Sequence, residues 1–247
     1  MELQKVIVNN LKIQVMLNIK QISKEYSGET VLNIPQLEIK KGESFGLVGN
    51  NGAGKTTLFR LILDLIKAHT GEIYSKDTSV AGSEHWKAYT GSYLDEGFLI
   101  DFLTAEEYFE FVGAINGLSK GDIEDFMKGF EPFFDGEVLG KKKYIRDFSK
   151  GNQKKIGITA AIMTQPEVLI LDEPFSNLDP STQIRLKKLL RSMQEDQKVT
   201  MLISSHDLNH VTEVCDRIVV LDKGELVHDI KTSESTLKDL ESYFSVE

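Results

Sequence analysis

Cysteine is almost absent from this chain: Cys215 stands alone among 247 residues. It has no partner for an internal disulfide, so nothing points to an oxidising compartment. Basic charge is also short. Lysine and arginine total 29 against 38 aspartates and glutamates, a net charge of −9. That balance argues against the broad basic face of a nucleic-acid binder, and nucleic acid is not an expected partner. No apolar run approaches the roughly 20 residues that span a bilayer, so if the protein works at a membrane, another chain supplies the membrane part. The first residues lack the long apolar core and small-residue cleavage site of a secretory signal. Internal repeats and low-complexity tracts are missing too.

What is there is an ordinary globular composition, 40% hydrophobic and 27% charged. The length suits one large domain or two small lobes. The most informative stretch is Gly49-Asn50-Asn51-Gly52-Ala53-Gly54-Lys55-Thr56-Thr57. It follows the apolar run Phe45-Gly46-Leu47-Val48 and precedes Leu58, Leu61, Ile62 and Leu65 at helical spacing. Strand, glycine loop and helix form the setting in which G-x-x-x-x-G-K-[ST] becomes a phosphate-binding loop. Glycines let backbone N–H groups turn in around phosphates, and the helix N-terminus adds about half a positive charge. Lys55 is expected to reach the β- and γ-phosphates and Thr56 to ligate Mg²⁺. The rival dinucleotide fingerprint fails at its third glycine, where Thr57 stands.

Leu17 to Ile22 form a first strand, and Met1 to Val15 form an N-terminal extension. The native start is expected at Met16, with an extra edge strand as the alternative. Tyr26 lies in a loop before a strand pair, Val31-Leu32 and Leu37-Glu38-Ile39; it stacks on a base or is simply half-buried. From Thr104 the pattern is helical. Thr104 and Glu107 fit a capping box, Tyr108, Phe111, Val112 and Ile115 line one face, and Ile123, Phe126, Met127 and Phe130 line another. Lys141 to Lys143 make a solvated turn, and Ser149 caps a further helix.

The buried run Val168-Leu169-Ile170-Leu171 ends on Asp172-Glu173-Pro174, where open α/β sheets bind ligands. Asp172 would hold Mg²⁺ and Glu173 would orient or deprotonate a water. Asp179 with Pro180 starts another helix, and His206 follows the strand Val199 to Ser204 directly. Arg217 to Val227 read as a hairpin turning at Asp222 to Gly224.

Taken together, Met16 to about Val227 resembles the ATP-binding subunits of ABC transporters. Gly49 to Thr56 look like the family's Walker A loop, and Tyr26 falls at its adenine-stacking aromatic. Ser149 and Gly151 fit the signature loop, Leu169 to Glu173 the Walker B strand and catalytic glutamate. Ser176 to Asp179 look like the D-loop, and His206 like the switch histidine. Two departures stand out. The signature reads Phe-Ser-Lys-Gly-Asn instead of Leu-Ser-Gly-Gly-Gln, and the lobe-coupling glutamine is replaced by an acid, Asp95 or Glu96 depending on the alignment. Both resemble the exporter branch tied to bacitracin resistance and lantibiotic immunity.

The resemblance implies an α/β P-loop NTPase core, a mixed sheet with an antiparallel β subdomain. Residues 16–247 would form one ABC ATPase domain, with a helical subdomain inserted at about 97–165. It implies ATP and Mg²⁺, with Tyr26, Asn50, Asn51, Gly52, Ala53, Gly54, Lys55, Thr56, Thr57, Ser149 and Gly151 on the nucleotide. Glu173, His206 and Lys55 would be catalytic, and Thr56, Asp172 and Asp95 or Glu96 would face the metal. It further implies an ATP-dependent homodimer and a separate transmembrane permease, placing the chain in the cytoplasm against the inner face of the cell membrane. The exported compound would be a peptide, an antimicrobial or something similar. A non-transport or regulatory ABC-type ATPase is the alternative.

Overall fold

The computed structural model describes residues 14–244. Most of the N-terminal extension, residues 1–13, therefore lies outside the described residues. Strand β1 (Val15–Tyr26) takes in Val15, which pairs with Lys40, while the Gln14 carbonyl accepts from the Lys41 N–H at 2.8 Å. Its partner β2 (Glu29–Lys40) is one antiparallel strand, where the sequence suggested two short ones. Pro35, which has no N–H to donate, lies within β2 between Ile34 and Gln36, whose partners Ile22 and Lys20 flank Gln21 at φ +51°. Tyr26 is the last residue of β1 and not part of a loop.

Strand β3 (Ser44–Val48) runs through the glycine loop into α1 (Lys55–Ile62). This helix is shorter than its apolar spacing suggested: Leu65 lies beyond it and is exposed, and Leu63 is buried at its end. Strands β4 (Thr70–Ser75) and β5 (Thr78–Ser79) complete an antiparallel sheet of order β2-β1-β4-β5.

The second sheet holds β3 with β6 (Thr90–Tyr93), β7 (Val168–Leu171), β8 (Thr200–Ser205), β9 (Arg217–Asp222) and β10 (Glu225–Lys231). Its order is β10-β9-β3-β8-β7-β6, parallel throughout except for β10. Between β6 and β7 the chain forms α2 (Ala105–Ile115), α3 (Lys120–Phe134) and α4 (Lys150–Met163). Helices α5 (Pro180–Gln197), α6 (Leu208–Val214) and α7 (Thr236–Phe244) follow β7, β8 and β10.

Both faces of the parallel sheet are covered, which is why its strands read as unbroken apolar runs. Side chains alternate between the two faces. Val168, Ile170, Leu202, Val219 and Leu221 pack with α1 and the antiparallel sheet, whereas Leu169, Leu171, Met201, Ile203 and Val220 pack with the helices from α2 onward. The helix starts match the sequence: Thr104 and Glu107 form a capping box, Ser149 caps α4, and Asp179 caps α5 with Pro180 in its first turn.

The buried face of α2 differs from the expected one. Phe109 is its core anchor, with Ala105 and Gly113, while Tyr108 and Val112 are half-buried and Phe111 and Ile115 face solvent. Full burial of a side chain like Phe109 is worth roughly 1.5–3 kcal/mol; the outward pair contributes little of this. Among the described residues no helix is long and apolar enough to cross a membrane.

Candidate active site

Three neighbouring parallel strands, β3, β8 and β7, end on the same edge of the sheet. That shared edge is what brings distant motifs together. The glycine loop leaves β3, His206 follows β8, and Asp172-Glu173 follow β7.

The loop itself is shaped by close approaches. A Cβ at residue 49 would lie 2.2 Å from the Leu221 carbonyl oxygen, and Gly54 caps α1 at φ +107°. No side chain caps α1, and its first turn contains no acid, unlike α2, α3, α4 and α5, whose ends are all capped by side chains. The amides and dipole of this one end are thus left to face an external anion. Lys55 is buried; its ammonium donates to the Gly49 carbonyl at 2.6 Å and lies 3.4 Å from Glu173 Oε1.

Thr56 Oγ1 donates to Asp172 Oδ2 at 2.5 Å. Ser204 Oγ donates to the other Asp172 oxygen and accepts from the Glu173 N–H at 2.9 Å. Burial raises the Asp172 pKa, and the two hydroxyl hydrogen bonds oppose that rise. Thr56 and Asp172 are adjacent hard oxygen donors, the type Mg²⁺ takes, so this corner of the cleft fits that ion. Glu173 sits at φ +47°, and its Oε2 is 2.8 Å from His206 Nδ1.

Tyr26, Val31, Asn51 to Thr57 and Glu173 line one cleft. Tyr26 is 47% exposed, with the Lys24 ammonium over its ring 5.0 Å from the centroid.

The remaining expected residues lie apart from this cluster. Ser149 is exposed at the start of α4, where it caps the Asn152 N–H, and Gly151 packs so tightly that a Cβ there would lie 2.6 Å from the Asn177 carbonyl oxygen. The two acids of the 93–98 loop diverge. Asp95 turns toward α1, 3.7 Å from Arg60, and accepts from the Gly97 N–H. Glu96 turns toward α4, accepting from the Tyr93 hydroxyl at 3.0 Å with Lys150 at 3.9 Å. Sequence reading missed the role of Ser204; its only signal was a hydroxyl at the very end of a buried strand.

A glycine loop before an uncapped helix, with an acid pair and a histidine on the same sheet edge, defines a P-loop nucleoside triphosphatase. The relatives narrow this. Residues 32–176 match the family model for the ABC transporter. The chain is 32% identical to the bacitracin transport ATP-binding protein BcrA of Enterococcus faecalis, over 90% of this chain and 71% of that protein. It is 34% identical to the ABC transporter ATP-binding protein sll0415 of Synechocystis, over 77% of this chain but only 54% of that protein. A solved structure described as the ATP-binding subunit of an ABC transporter superposes with a TM-score of 0.79 at 28% identity, covering 93% of each chain. This chain belongs to the ABC transporter family, as an ATP-binding cassette with the ATPase fold.

Proposed function

We propose that the chain binds and hydrolyses ATP to power a separate membrane permease; the bacitracin relative is named as a transport ATP-binding protein. The observation that carries this is the convergence of Lys55, Asp172, Glu173 and His206 on one cleft from three adjacent strands. Lys55 and the α1 amides hold the phosphates, and Tyr26 carries the base. Thr56 and Asp172 would hold Mg²⁺, which would supply neutralising positive charge to the phosphates. Glu173 orients a water for in-line attack on the γ-phosphorus and accepts its proton. The bond to the β,γ-bridging oxygen breaks, releasing ADP and phosphate. His206, bonded to Glu173, fixes that carboxylate and faces the γ-phosphate. Of the two loop acids, Asp95 is assigned to the metal side, because Arg60, its partner, lies one helical turn beyond Thr56 on the same face of α1.

Ser149 and Gly151 are exposed or half-exposed and are not among the residues lining the chain's own nucleotide cleft. They serve the nucleotide of a second copy in an ATP-dependent homodimer. The working location is the cytoplasmic face of the membrane, against the permease, and the cargo is a peptide or antimicrobial for export.

Glu173→Gln tests the reading. It keeps shape and removes the base, so turnover should fall on the order of 10²-fold or more while ATP affinity stays within a few-fold. Unchanged turnover in this variant would overturn the assignment.

A further inference from the structure

The N-terminal turns of α4 carry a buried lysine that the catalytic account leaves unused. Lys154 is 4% exposed, yet its ammonium donates to the Glu173 backbone carbonyl at 2.7 Å and to Ser176 Oγ at 2.6 Å. The Ser176 hydroxyl in turn donates to the same Glu173 carbonyl at 2.9 Å. These bonds close the turn after β7, in which Glu173 at φ +47° and Asn177 at φ +60° hold left-handed conformations that non-glycine residues rarely adopt. Burying an ammonium is costly unless it is well bonded. Here the bonds go to the peptide that fixes the direction of the Glu173 side chain.

The same ammonium lies 5.9 Å from the centre of the Tyr93 ring, and the Tyr93 hydroxyl donates to Glu96. Tyr93 has little room to move, because a Cβ at Gly157, one turn along α4, would already lie 2.3 Å from its ring. Glu96, Tyr93, Lys154 and the Glu173 turn therefore form one packed series running from the 93–98 loop to the catalytic carboxylate. Burial lowers the Lys154 pKa, and the nearby carboxylates of Glu96, Glu173 and Asp172 oppose that fall.

We propose that Lys154 is a positioning residue for Glu173: it clamps the left-handed turn that aims the carboxylate and ties that turn, through Tyr93, to Glu96. This rests on Glu173 being the residue that acts on the attacking water. Lys154 touches neither the nucleotide loop nor the reacting atoms in this arrangement, so its loss should disturb turnover and not binding.

The test compares Lys154→Met, which keeps the buried stem but removes the ammonium, with Ser176→Ala, which removes only the shared hydroxyl. Steady-state ATPase kinetics and equilibrium binding of a fluorescent ATP analogue are measured on the full chain. The expected result is a kcat lowered at least tenfold in Lys154→Met and about threefold in Ser176→Ala, with KM and analogue affinity within twofold of wild type in both. Glu96→Gln combined with Lys154→Met should cost less than the product of the two single effects. A Lys154→Met enzyme with wild-type kcat overturns the proposal, as does a parallel loss of kcat and analogue affinity. If Lys154→Met does not fold, Ser176→Ala decides: an unchanged kcat overturns the clamp. A wild-type chain that binds the analogue but never turns over ATP overturns the underlying catalytic reading itself.

Discussion

Glu173 is held from two sides, by Lys55 at 3.4 Å and by His206 at 2.8 Å. At an effective dielectric near 20, an ion pair at such a distance is worth about 4 kcal/mol before desolvation. A γ-phosphate reaching Lys55 would compete for that same cation, so on the proposed reading phosphate binding would loosen the grip of Lys55 on Glu173. Asp95 poses the opposite problem. A second carboxylate near the phosphates would repel them by a similar amount and would be tolerable only beside a cation, for Asp95 its partner Arg60 and, on the proposed assignment, the metal. Asp95→Asn should therefore raise the Mg²⁺ concentration needed for half-maximal ATPase several-fold, while Glu96→Gln, turned toward α4, should leave it within twofold. Magnesium titration of both variants checks this. If the larger shift appears in Glu96→Gln, the assignment of the two acids is reversed; if neither shifts, the loop does not serve the metal.

At the scale of elements, the motifs that open a helix were the most legible. Each sets a cap or turn residue before a helical run: Gly54 before α1, Ser149 before α4, Asp179-Pro180 before α5. Less legible were features decided by packing between distant segments. The outward turn of Phe111 and Ile115 depends on where α3 and α4 sit, and the divergence of Asp95 from Glu96 depends on Arg60 and Tyr93, neither of which spacing could pair with them. Gly157 is another such case. In sequence it is merely an unfavourable residue inside a helix, but in the fold it is the seat of the Tyr93 ring. Gly157→Ala improves local helix propensity by up to about 1 kcal/mol, yet the added methyl has no room. Overpacking of this kind costs typically 1–3 kcal/mol, which should exceed the gain. Thermal denaturation should show a melting temperature lower by a few degrees, since each kcal/mol moves a domain of this size by about 2–4 °C. A rise would show that β6 and α4 yield to the methyl.

For the whole molecule, the decisive fact is that the functional residues divide between two places. The cleft of Lys55, Asp172 and Glu173 lies at the ends of β3 and β7, whereas Ser149 stands exposed at the head of α4, its hydroxyl used only to cap its own helix. Gly151 is pinned against the Asn177 carbonyl, so the loop cannot fold back on its own nucleotide without dismantling that contact. A two-fold pairing reconciles the halves, because an isologous interface places the same two patches together twice. In the proposed homodimer the Ser149 loop of each copy would close over the γ-phosphate held by the other, and hydrolysis would remove the group that bridges them. Glu173→Gln, which retains ATP, should consequently run as a dimer in size-exclusion chromatography at saturating Mg-ATP and as a monomer in ADP. Adding Ser149→Arg puts a long side chain where the γ-phosphate must fit and should restore the monomer in ATP, with ATP affinity of the single subunit changed less than twofold. A Glu173→Gln chain that stays monomeric in Mg-ATP would leave the exposed Ser149 without a phosphate to meet, and the shared-site arrangement would fall.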